Sequence, residues 1–221
     1  GEVTGADLGD SVRQDMCRHL TGDAAPYNLV FTTNGIACTT ATVIAASLGI
    51  TDLGTIDEVD TARIRTAHLL LAMYNALQPG VFALSGWDLC GMLTLPPEEV
   101  SELLESGDTR WINRPAHDLM GANPRATKSS AGMPRGTSLY GSLPEQLDDD
   151  TSFARQLQAI LAVRERYGVA TSRQIDIPDV SHRGMLVMVH QLTDPEQLGL
   201  TVLNFANESI AGTVRSEHLV P

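Results

Sequence analysis

The chain has 221 residues, 43% of them hydrophobic and 19% charged, and 27 acidic against 15 basic side chains give it a formal net charge of -12. That length buries a sizeable core, and no apolar run approaches the roughly 20 residues that span a bilayer. The acidic balance excludes the basic face that nucleic acid or an anionic membrane surface requires.

Cys17, Cys38 and Cys90 are odd in number and lack C-x-x-C spacing, so neither a disulfide framework nor a thiolate metal site is expected, and a reducing, cytoplasmic setting fits. The chain opens on Gly1 without a basic-then-apolar leader, which suggests a processed or excised piece of a longer product. Leu8, Val12, Met16 and Leu20 recur every four residues before Gly22 and predict a first amphipathic helix. Ile36, Thr40, Val43, Ile44, Ser47 and Leu48 trace a second helical stripe, stopped by Gly49. Thr55 and Glu58 have capping-box spacing ahead of a third pattern that runs to Leu77 and ends at Pro79.

The short apolar run 81–85, between Pro79-Gly80 and Gly86, predicts a strand buried on both faces. Such a strand delivers Trp87 and Asp88 at its carboxyl end, where a barrel of alternating strands and helices gathers its chemistry. A buried tryptophan beside a capping aspartate is the structural alternative. Residues 86–150 carry few periodic apolar positions beyond a short helix, 98–104, and loops of that length usually shape a site. The acidic run 148–150 is expected to be a solvated helix entrance. A helix with Thr151 or Ser152 as cap and Phe153, Leu157, Ile160 and Leu161 as its stripe then runs to Gly168. Beyond it the period falls to two, and 173–177, 185–192 and 200–205 predict a small antiparallel sheet with a turn at 194–199.

Self-contained catalytic motifs are missing: no G-x-S-x-G, no G-x-x-x-x-G-K and no H-E-x-x-H occurs. Cys17 and His19, two apart on a helix, point to different sides.

The run from Tyr74 through Asn75-Ala76-Leu77-Gln78-Pro79-Gly80 to Trp87-Asp88 resembles the eighth barrel strand of the α-amylase-like glycoside hydrolases, family 13. The Asp108-Thr109-Arg110-Trp111-Ile112-Asn113-Arg114 segment, the stretch from Met133-Pro134-Arg135 to Leu143-Pro144-Glu145-Gln146, and the helix from Phe153 to Tyr167 are similar to that family's trehalose synthases, which interconvert maltose and trehalose. Met185 to Gln191 and Leu200-Thr201-Val202-Leu203-Asn204-Phe205 resemble the first strands of the family's C-terminal β-domain.

The resemblance implies an α/β fold: the C-terminal portion of a (β/α)8 TIM barrel over 1–170, followed over 171–221 by the start of a small antiparallel β-domain. It implies a sugar pocket walled by residues 86–150, with Trp87 and Trp111 offering flat faces and Asp88, Asn113 and Arg114 bonding hydroxyls. Trp111 packing the loop against the barrel is the alternative. Maltose and trehalose are the implied small-molecule partners, with no nucleic acid or membrane. The family's nucleophile, acid/base and His-Asp pair have no match here, and His117-Asp118 follows Pro115-Ala116 rather than an apolar strand, so it reads as a loop or helix-start pair. The chain alone is therefore expected to be inactive, and to depend on the remainder of the barrel or on a second copy. No cofactor is expected, and a family calcium ion cannot be assigned to any residue. A non-catalytic carbohydrate-binding or scaffold module, or one subunit of a split enzyme, are the competing functions.

Overall fold

Caps and turn residues set most of the element boundaries. The computed structural model describes residues 9–32 and 35–219; it is mixed α/β, its sheets are small and antiparallel, and no barrel closes among the described residues. The chain divides into two units, 1–68 with 84–154 and 69–83 with 155–221, so the expected boundary near residue 170 falls inside the second.

In the first unit, helix α1 spans Asp10–Leu20 and ends before Gly22, as its spacing predicts; Leu8 lies outside the described residues. Its stripe is not buried. Val12 and Met16 are 43% and 52% exposed and line an open groove of about 580 Å³ with Leu20 and Ala46. The next stripe splits in two. Strands β1 (Leu29–Thr32) and β2 (Gly35–Ala37) form a hairpin that takes Ile36, and α2 (Thr40–Ser47) starts behind a reciprocal Thr39–Thr42 capping box. The extended backbone of Thr39 (φ -99°, ψ 165°) is what keeps the helix from running back into Ile36. Helix α3, Glu58–Ala76, is capped by Asp57, whose Oδ1 accepts from the Asp60 N–H at 2.8 Å, rather than by Thr55, which closes a 3-10 turn. An aspartate one position before the helix outcompetes a threonine three positions away.

Residues 81–85 are not a strand: the backbone is irregular there, and Val81 is 96% exposed. An apolar run becomes a strand only with a neighbour to pair with, and these residues have no ladder partner among the described ones. Ser85 instead opens α4 (Gly86–Cys90), placing Trp87 and Asp88 in a first helical turn rather than at a strand end. The segment that follows carries 3-10 turns at Pro97–Val100 and Thr109–Asn113 and helices α5 (Ser101–Leu104) and α6 (Leu143–Leu147). It is tied down by long-range backbone bonds: Leu95 N–H to Ile112 C=O at 2.8 Å, Leu93 N–H to Thr137 C=O at 2.9 Å, and a bridge between Ala116 and Arg135. Arg135 Nη1 also donates to the carbonyls of Asn123, Pro124 and Ala126. Ala37, Leu95, Val100 and Ile112 form a core cluster against which Leu29, Leu104, Trp111 and Met133 pack.

The second unit is more regular. Helix α7, Phe153–Arg166, has its first two residues in the first unit and ends before Gly168, whose left-handed φ of 58° stops it as the sequence predicts. Strands β3 (Arg173–Asp176), β5 (Met185–Gln191) and β6 (Leu198–Asn204) make a three-stranded antiparallel sheet in the order β3-β5-β6, close to the predicted spans. The register Met185↔Asn204 to Gln191↔Leu198 follows from the predicted turn. Two short strands escaped the sequence reading: β4 (Asp179–Val180) pairs with β7 (Val214–Arg215). Val187, Val189 and Leu203 are fully or nearly fully buried. Buried Arg164 donates to the carbonyls of Ala76, Gln78 and Gly80, satisfying the end of α3 and the Pro79-Gly80 turn.

Candidate functional site

Asp88 is held by two layers of contacts within the first unit. The Ser85–Asp88 capping box is reciprocal: Asp88 Oδ2 accepts from the Ser85 N–H at 3.1 Å and hydroxyl at 2.7 Å, while Ser85 Oγ accepts from the Asp88 N–H at 3.2 Å. Both donors engage Oδ2, so Oδ1 is turned toward His68, whose Nε2 lies 3.6 Å away. That is longer than an ordinary hydrogen bond, and Nε2 has no closer partner among the described residues although His68 is buried. Burial pushes the Asp88 carboxyl upward, but donors on His68, Thr40 and Ser85 outweigh it and hold the group well below the usual carboxylate range.

Behind Asp88 stands a packed aromatic group. His68 Nδ1 and the Tyr140 hydroxyl are 3.1 Å apart. The His68 ring lies 4.6 Å from that of Phe153, which stacks on Tyr140 at 5.1 Å and an interplanar angle of 21°. Phe153 is fully buried. Burial raises the Tyr140 phenol, with Arg65 opposing and Asp88 and Cys90 adding to the rise, so the hydroxyl keeps its proton at neutral pH. Gly91 makes the arrangement possible, since it sits at a left-handed φ of 61° and a Cβ there would lie 2.7 Å from the Tyr140 ring. Tyr140 also lines a cavity of about 230 Å³ with Arg65, Glu145, Gln146, Asp149 and Ser152.

Trp87 is half-buried; its indole N–H donates to the Pro115 carbonyl at 3.0 Å, and its ring meets His117 edge-on at 6.1 Å. Asp118 caps the following turn through Ala122 and Asn123 N–H groups, so the His117-Asp118 pair is a loop feature, as its sequence context implied. The other three expected site residues form a second group. Trp111 packs on the core cluster and carries the Arg114 guanidinium over its ring at 4.8 Å. Arg114 also stands 4.0 Å from Asp108, and Asn113 donates to the Cys38 carbonyl at 3.2 Å. The two groups meet along one stretch of backbone, since Pro115, the acceptor for Trp87, follows Arg114 directly.

His68 and Tyr140 were missed in the sequence. His68 lies on the buried side of α3, in a stripe that reads simply as core, and Tyr140 is 72 positions away with no pattern linking the two. Among the described residues no group of three or more His, Cys, Asp and Glu is placed to hold a metal ion, and no helix is long and apolar enough to cross a membrane. No protein-family model matches the chain, and no characterised protein matches it.

Proposed function

We propose that these residues belong to a trehalose-synthase-like enzyme of glycoside hydrolase family 13, interconverting maltose and trehalose, and that they wall its sugar pocket. The observation that carries this reading is the placement of Trp87 and Asp88 together in the first turn of α4, with Oδ1 of Asp88 left unclaimed by the capping box. The order of elements supports it: helix, irregular apolar run, acid-bearing helical turn, long tied-down loop, helix, antiparallel sheet.

Trp87 then offers an apolar face to a pyranose ring and Asp88 accepts a hydroxyl. Retaining glucosyl transfer needs two carboxyls about 5–5.5 Å apart, and the sequence offers no match to the family's nucleophile or acid/base. Nucleophile and acid/base therefore come from the rest of the barrel, and Asp88 binds rather than attacks. Isomerisation also requires that the released glucose stay beside the glycosyl intermediate while water is kept out, a task suited to a long loop pinned by Arg135.

The test is immunodepletion. Antibody raised against the chain should remove maltose-to-trehalose activity from an extract of its native host, and Trp87→Ala in the complete enzyme should raise the ratio of glucose to trehalose formed. Activity left intact after the chain has been depleted overturns the reading. Maltose binding by the chain with no linked activity would favour a carbohydrate-binding or scaffold role, to which the absence of a sequence match to the family's catalytic carboxyls also points.

A further inference from the structure

Every contact of His68 is accounted for except the one that faces Asp88. One ring nitrogen meets Tyr140, the ring face meets Phe153, and Nε2 is buried 3.6 Å from Asp88 Oδ1 with no hydrogen-bond partner among the described residues. We infer that His68 is a positioning residue: the Tyr140 hydroxyl selects its tautomer, and the resulting Nε2–H orients Oδ1 of Asp88. This rests on the reading that Asp88 faces the sugar.

The tautomer follows from the two ends of the ring. When the Tyr140 hydroxyl donates to Nδ1, the ring hydrogen is carried on Nε2, where it faces Asp88 Oδ1. The opposite tautomer would point the Nε2 lone pair at a carboxylate oxygen 3.6 Å away, a repulsive arrangement inside a buried site. Oδ2 is already saturated by the two Ser85 donors. Oδ1 is thus the oxygen left to His68, and a donor fixed on that side decides which lone pair is open to a hydroxyl, whether that of Thr40 or of a sugar. Substrate-orienting carboxylates depend on such support, because small misplacements of a binding group are costly in rate. Gly91 belongs to the same device, since a side chain there would push Tyr140 off the ring it orients.

The experiment uses the full chain without sugar. Long-range 1H–15N correlation should show Nε2 of His68 carrying the proton and Nδ1 without one, and Tyr140→Phe should convert this to a mixture of tautomers. The Asp88 carboxyl, followed by 13C NMR, should titrate about one pH unit higher in His68→Leu and stay near its original midpoint in His68→Gln, which retains an N–H donor. Cys90 and Tyr140, the other titrating groups acting around it, are both raised and so silent in the acid range. An Nδ1–H tautomer in the unmodified chain overturns the inference, as does an unmoved Asp88 midpoint in folded His68→Leu. If His68→Leu does not fold, the tautomer of the unmodified chain and its response to Tyr140→Phe decide alone. None of these readouts involves sugar, so their failure is distinct from failure of the proposed function, which the depletion experiment addresses.

Discussion

The segment 91–142 and the sheet β3-β5-β6 solve the same problem by different means. In the sheet, backbone groups pair along one continuous ladder, seven consecutive residue pairs between β5 and β6, and side chains alternate on a period of two. In the loop segment the backbone is satisfied piecemeal by isolated bridges, one-turn helices and side chains, with Arg135 alone serving three carbonyls. A ladder tolerates the loss of any one residue at its edge, whereas a piecemeal scaffold concentrates its stability in a few side chains. The difference teaches where to strike each unit.

The largest effect is expected in the first unit. Phe153→Ala removes a fully buried ring packed on both His68 and Tyr140 and should cost about 3–5 kcal/mol in a urea titration. A loss below about 1 kcal/mol would show that the aromatic group is not the keystone that its burial implies. In the second unit the comparable point is Arg164→Met, which strips the donor from three carbonyls at the end of α3. It should cost about 2–3 kcal/mol, read by thermal melting, since carbonyls buried without a partner pay their desolvation in full.

Acid should separate the two units by pH. His190 is buried with its Nε2 unpaired, and burial lowers its affinity for a proton in the fold. The unfolded chain takes up that proton first, at about pH 6.5, so stability is lost as pH falls from there through the folded value. Asp88 is lowered as well, so its contribution is complete above the ordinary carboxylate range, about pH 4, and is lost as pH falls through its folded value. Amide exchange measured against pH should therefore show β5 weakening at a higher pH than α4. The reverse order would break the assignment.

The smallest effect belongs to the ladder's rim: Leu200 is 53% exposed on β6, the outermost strand of its sheet. Leu200→Thr should shift stability by no more than about 0.5 kcal/mol. A larger loss in the chemical melt would mean that this edge is covered in solution.

How much was legible varied with the range of the forces involved. The C-terminal sheet, α7 with its Gly168 stop, and the ends of α1 and α3 could be read from spacing, because period-two and 3.6-residue patterns and glycine turns are local. The β1–β2 hairpin was missed although the sequence carries Asn34-Gly35, a recognised hairpin signal, between the apolar residues of Leu29-Val30-Phe31 and Ile36. Residues 81–85 failed for the opposite reason: their apolar pattern is genuine, but a strand exists only where a second strand supplies the other half of its hydrogen bonds.

Taken alone, the sequence determined the mixed helix-and-strand composition and the acidic balance, and local spacing singled out Trp87 and Asp88, while Trp111, Asn113 and Arg114 entered as candidates through a family resemblance. Tertiary structure decided what surrounds them. It joined His68 on α3 to Tyr140 and Phe153 from more than 70 positions away, turned Asp88 toward that histidine, and set Trp111 against the core beneath Arg114. Such pairings depend on where the chain returns in space, and local propensity carries no record of that. Only packing and the satisfaction of buried polar groups select them.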